Sequence, residues 1–122
     1  MTAASVTRRS VTPADLTITP RDRRFGRDEA TPRWWHGNDP VASALYNALS
    51  ATFPLGEAFF VESVRKFRDG ADARLAEEIA AFTTQEVIHS REHLAFNRRA
   101  ADSGYDLTRL CLLYTSPSPR DS

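Results

Sequence analysis

Two apolar seams of helical period, joined by a short turn, constrain this chain more than any other feature. Tyr46, Leu49, Phe53, Glu57, Phe60, Val64 and Phe67 recur at spacings of 3, 4, 4, 3, 4 and 3, the period of one helix face. Leu75, Ile79, Phe82, Glu86, His89, His93 and Phe96 follow at 4, 3, 4, 3, 4 and 3, a regular seam of the kind that packs on a second helix. Arg68-Asp69-Gly70 supplies a stop and a turn between them. A connection that short makes the two helices antiparallel neighbours. The spacing therefore predicts an all-α chain built on a hairpin, with helices over 41–68 and 73–101. Each would be about 40–45 Å long at roughly 1.5 Å per residue.

Local signals mark the ends of these helices. Asp39-Pro40 is a start, with Asp39 as cap and Pro40 at the first helical position. Pro54 lies inside the first helix and is expected to kink or divide it. Asp72 is the candidate cap of the second helix, and Ser103-Gly104 marks its end. Residues 1–40 hold Pro13, Pro20, Pro32 and Pro40 and show no periodicity. They read as an extended arm lying against the helical body, with Trp34 and Trp35 as packing anchors. Residues 41–105 form the hairpin and 106–122 a disordered tail.

Composition narrows the function classes. The 122 residues suffice for one small domain and not for two. Hydrophobic residues at 41% exclude wholesale disorder, and 16 basic against 16 acidic side chains give no sign of a nucleic-acid partner. Residues 1–33 carry seven Arg against four acidic residues, a surplus that reads as a solvated tail. A single cysteine excludes a disulfide framework and a four-cysteine zinc site. Met1 to Ser10 lack an apolar signal core, and no run approaches the roughly 18 apolar residues that span a bilayer. The expectation is a cytoplasmic protein with no membrane partner.

What interrupts the seams carries the chemistry. Glu57 sits between Phe53 and Phe60, while Glu86, His89 and His93 take three consecutive seam positions. Ionised carboxylates on a buried face cost several kcal/mol each unless paired, and neither seam offers a Lys or Arg. A divalent cation would satisfy all four side chains together. Glu86-x-x-His89 puts a carboxylate and an imidazole on adjacent turns of one face. This is the Glu-x-x-His spacing of di-iron and di-manganese bundles, in which other helices give a lone Glu. Glu57 is the candidate for that lone Glu, and His89-x-x-x-His93 could chelate as well. The bland readings are a satisfied polar core for Glu86 and His89, a Glu57 bonded to backbone freed by Pro54, and a core or supporting histidine at His93. Glu62 and Lys66 form a solvated i,i+4 pair, whereas Arg91 and Asn97 receive no role. Ser90 stands where a zincin needs Glu, and no phosphate-binding or nucleophile-elbow glycine motif is present.

These residues resemble a bacterial family called predicted metal-dependent hydrolases. The likeness rests on Arg33-Trp34-Trp35 through Asp39-Pro40, Asn47-Ala48-Leu49-Ser50, Phe53-Pro54-Leu55-Gly56-Glu57-Ala58-Phe59-Phe60 and Val64-Arg65. It continues at Phe82-Thr83-Thr84-Gln85-Glu86-Val87-Ile88-His89 and through His93 to Asn97, covering roughly residues 18–105. The resemblance implies a ferritin-like helical bundle with a metal site at Glu57, Glu86, His89 and His93. It also implies that relatives run on through further helices with their own Glu/His motifs.

The end of the chain breaks style. Up to Asp102 it is rich in Ala and Arg with Lys66 as its one lysine, whereas residues 111–122, from Cys111 onward, contain no alanine. Cys111 to Asp121 resembles a translated sequencing-library adaptor; the alternative is a natural Ser/Pro linker. The first reading makes the chain an N-terminal part of a longer protein, inactive by itself. It also leaves an apolar face uncovered, so that dimerisation or aggregation is expected.

The leading functional expectation is therefore a metal-dependent hydrolase acting on a small molecule, with a divalent metal, iron or manganese before zinc. A di-iron, oxygen-activating oxidoreductase is the rival enzyme. A metal-free helical interaction module, whose seam polars set helix register, is the rival of another class.

Overall fold

The computed structural model describes Pro13 and residues 15–108. Helix α1 spans Pro40–Arg65, a single 3-10 turn spans Arg68–Gly70, and helix α2 spans Ala73–Asp102. No strand occurs among the described residues, so the chain is all-α. No helix among them is long and apolar enough to cross a membrane. The expected tail beyond residue 108 and the first twelve residues of the expected arm lie outside the described part.

Each helix begins where its cap is encoded. The Asp39 carboxylate accepts from the amides of Val41 at 2.8 Å and Ala42 at 3.1 Å, satisfying two donors that the first turn leaves without helical partners. Asp72 does the same for Leu75 at 2.9 Å. At the far end of α2, Gly104 has a φ of +97°, a conformation glycine takes without strain.

Pro54 neither divides α1 nor ends it. A proline lacks the amide that would bond the carbonyl four residues earlier, here that of Ser50. Asn97 of α2 donates Nδ2–H to this carbonyl at 3.2 Å, so the missing helical bond is replaced across the hairpin.

The helices meet at only part of the α1 seam, through Phe53 and Glu57. The buried residues of α1 are Ser43, Asn47, Ser50, Ala51 and Glu57, a stripe of small or polar side chains that shares only Glu57 with the seam. Side-chain size sets how closely two helix axes approach. Tyr46, Leu49 and Phe60, predicted inward, flank this contact and are exposed. Val41, Leu45, Leu55 and Phe59 on the outer side are exposed as well. With only Glu57, Glu62 and Arg65 charged along its length, α1 is apolar nearly all round. Such a helix is normally covered on more than one side.

The described part of the arm is irregular and is tied down chiefly on α2. Arg27 Nη2 lies 2.6 Å from Glu92 Oε1, and the same carboxylate accepts from the Phe25 amide at 3.3 Å. Arg91 pairs with Asp22 and, at 3.0 Å, with Glu92, which gives it the role that its sequence position left open. Arg99 donates to the carbonyls of Phe25 and Gly26. Of the two tryptophans, Trp35 is the anchor: Nε1 donates to Asn47 Oδ1 at 3.0 Å and its ring meets Phe96 edge-on at 5.2 Å. Trp34 is exposed.

Candidate metal centre

α1 and α2 bring Glu57, His89 and His93 to one point. Their ligand-type atoms all lie within 4.8 Å of one another. Glu57 Oε1 is 2.9 Å from His89 Nδ1 and 4.0 Å from His93 Nε2, and the two Nε2 atoms are 3.0 Å apart. Glu86 stands at the edge of this group, with Oε2 3.8 Å from His89 Nδ1, and is not brought inside it. Helical spacing accounts for the histidines, since residues four apart share a face. Glu57 reaches them because it closes the small-residue stripe along which α1 meets α2.

The carboxylate of Glu57 is 2% exposed, and neither oxygen has a well-aligned hydrogen-bond donor. The 2.9 Å approach of His89 is close enough for an ion pair but lacks hydrogen-bond alignment. Glu57 is therefore not the kink-bound residue of the bland reading, because the Ser50 carbonyl is taken by Asn97. Burial raises the Glu57 pKa above its ordinary value, against the pull of His89 and of the Ser90 hydroxyl, and with a smaller push from Glu86. A buried carboxylate whose neighbouring donors are misaligned is costly to keep ionised. A cation between the three side chains would remove that cost.

The protonation pattern around His93 follows from its neighbours. The Ser50 carbonyl can only accept, so the Asn97 amide must turn Nδ2 toward it, which leaves Oδ1 toward the Ser50 hydroxyl at 2.8 Å. Ser50 donates its single proton there and accepts from His93 Nδ1 at 2.7 Å. The His93 proton is then on Nδ1, and the Nε2 lone pair points into the group with Glu57 and His89. Burial, with the charge of His89 adding to it, lowers the His93 pKa and favours the neutral, ligating form. Phe53 stacks on the ring at 4.5 Å and 18°. The Glu57 oxygen and this lone pair both face His89. Together they call for a positive charge, which either a second proton on His89 or a metal ion supplies.

Ser50 and Asn97 are the functional residues that sequence reasoning missed. One signal was available: Ser50 lies four residues before Pro54, which marks its carbonyl as needing an outside donor.

Residues 19–120 match the model of the family described as predicted metal-dependent hydrolase. The chain belongs to that family. The match contains the whole hairpin and the Glu57, His89 and His93 group, and it runs past the 18–105 range of the resemblance. No curated protein and no solved structure matches the chain. Family membership agrees with the donor set, since two imidazoles and a carboxylate are ligand types that bind zinc, iron and manganese.

Proposed function

We propose that this protein is a metal-dependent hydrolase whose divalent cation is held by Glu57, His89 and His93, with Glu86 as an adjoining carboxylate. The observation that carries the reading is the buried Glu57 carboxylate, without a well-aligned donor on either oxygen, facing two imidazole nitrogens. The cation supplies Lewis acidity toward a polarisable substrate bond. The chain's own groups do the positioning. Ser50 and Asn97 fix the ring and tautomer of His93, Phe53 holds its plane, and Glu57 contributes the negative charge that retains the ion. The uncovered apolar side of α1 supports placing this hairpin in a larger ferritin-like bundle.

The test is equilibrium dialysis of the chain against Mn²⁺, Fe²⁺ and Zn²⁺. Specific metal uptake is expected, lost in Glu57→Ala and His89→Ala. Uptake that persists in both variants, or no uptake by the wild-type chain, contradicts the reading.

One observation favours a second reading. Two histidines and one carboxylate are also the donor set of non-haem iron oxygenases. Oxygen consumption by the iron-loaded chain, without ester or amide hydrolysis, would select it.

A further inference from the structure

His93 has a second neighbourhood. It also borders a pocket of about 310 Å³ lined by residues of the arm, α1 and α2. The walls are the rings of Phe25, Trp35, Tyr46, Phe53 and Phe96 with the side chain of Leu49. Phe25, Tyr46 and Leu49 are exposed, so this apolar lining faces water.

Most polar groups of the pocket are already engaged. Ser50 is bonded to His93 and Asn97. Glu92 is held by Arg27, Arg91 and the Phe25 amide. Arg99 is turned to the arm's carbonyls and lies over the Phe96 ring at 6.0 Å. Among the described residues Arg99 has no carboxylate partner, and its Nε has no acceptor. Its Nη1, however, is bonded to the arm, and the rest of the lining is chiefly apolar. The other two clefts beside the centre differ in this respect. One is bordered by Glu62, Arg65 and Lys66, and the other by Arg21, Arg23 and Glu86.

We propose that this pocket takes an uncharged aromatic group of the substrate and delivers the polar bond next to it to the centre at His93. Resting on the metal reading above, this names the substrate class: an ester or amide attached to a flat, apolar ring system. The volume is roughly twice that of a cavity of about 150 Å³ that accepts a benzene ring, which suits a bicyclic group. The contacts of Trp35 with Phe96 and of Phe53 with His93 fix the ring planes of the walls, against which a flat aromatic guest packs by edge or by face.

The probe is 2-naphthol, uncharged at pH 7, titrated into the full chain with and without Mn²⁺. Binding is followed by tryptophan emission and by the probe's proton NMR lines, and Mn²⁺ uptake is measured separately by dialysis. The account expects saturable binding without metal and strong broadening of the bound probe's lines once Mn²⁺ is present. Leu49→Trp, which fills the pocket from an exposed position, should weaken the probe by roughly tenfold or more while helix content and Mn²⁺ uptake persist. Phe96→Ala should weaken it similarly from the opposite wall. Mn²⁺ uptake without probe binding overturns the pocket proposal and leaves the metal reading standing, and so does probe binding without broadening in the Mn²⁺-loaded chain. Probe binding by a chain that takes up no Mn²⁺ overturns the metal reading and the substrate assignment with it.

Discussion

Asn97 gives the carbonyl of Ser50 the hydrogen bond that Pro54 denies it, at 3.2 Å across the hairpin. The same Asn97 accepts the hydroxyl proton of Ser50 at 2.8 Å, and that hydroxyl in turn holds His93 at 2.7 Å. Repair of the α1 backbone and orientation of a candidate ligand are thus one network. Both depend on a side chain 47 residues from Ser50 in sequence.

This relationship predicts a thermodynamic coupling. Asn97→Ala strands the Ser50 carbonyl and is expected to cost about 1–3 kcal/mol in urea unfolding. Pro54→Ala restores the helical amide. The double variant should therefore lose less than the sum of the single effects, by at least about 0.5 kcal/mol. Strict additivity would show that the carbonyl does not depend on Asn97.

Ser50 acts on the metal through His93. Ser50→Ala removes the acceptor of the His93 Nδ1 proton and should lower metal affinity by roughly 10–100-fold. Ser50→Thr keeps a hydroxyl and should restore most of that loss. Dialysis that finds equal affinity in wild type and Ser50→Ala contradicts the tautomer assignment.

The metal-free chain should show opposed pH limbs. Burial raises the Glu57 pKa in the fold, so the stability it contributes is present below the ordinary carboxylate pKa. That contribution is lost as pH rises through the raised value. The His93 pKa is lowered by burial and by His89. Its contribution is therefore present above the ordinary histidine pKa and lost as pH falls through the lowered value. Thermal melts of Glu57→Gln should lose the first dependence and show a metal-free gain of about 1 kcal/mol, while His93→Gln should lose the second. A wild-type dependence retained in Glu57→Gln would assign it to another group.

The arm hangs largely on Glu92. Burial alone would raise the pKa of Glu92, but bonds from Arg27, the Phe25 amide and Arg91 hold it below its ordinary value. Each exposed pair contributes little by itself; three partners on one carboxylate make a network. Glu92→Ala should speed tryptic cleavage at Arg21, Arg23, Arg24 and Arg27 severalfold while circular dichroism of the helices stays constant. Unchanged cleavage would show that Trp35 and Arg99 suffice to hold the arm.

The helices were legible because their caps and period are local. Asp39, Asp72 and the Arg68-Asp69-Gly70 turn fall where short-range rules put them. Glu57, His89 and His93 were legible as titratable groups on apolar stripes. The contacting face of α1 was not. Periodicity locates large apolar residues, and on a helix apolar nearly all round they do not mark the packed side. Ser43, Asn47 and Ser50 carry no apolar signal, yet they are what α1 buries. Asn97 was opaque because its partner is a backbone carbonyl on another helix. The continuity of α1 at Pro54 depends on that same contact and so could not be read locally.

The central claim is that Glu57, His89 and His93 hold a metal ion. Anomalous diffraction at the zinc edge, from crystals of the chain grown with Zn²⁺, tests it most directly. The account predicts a peak about 2.0–2.2 Å from a Glu57 oxygen and from one nitrogen each of His89 and His93. A peak seated elsewhere, with Glu57 still facing His89 unbridged, would contradict it.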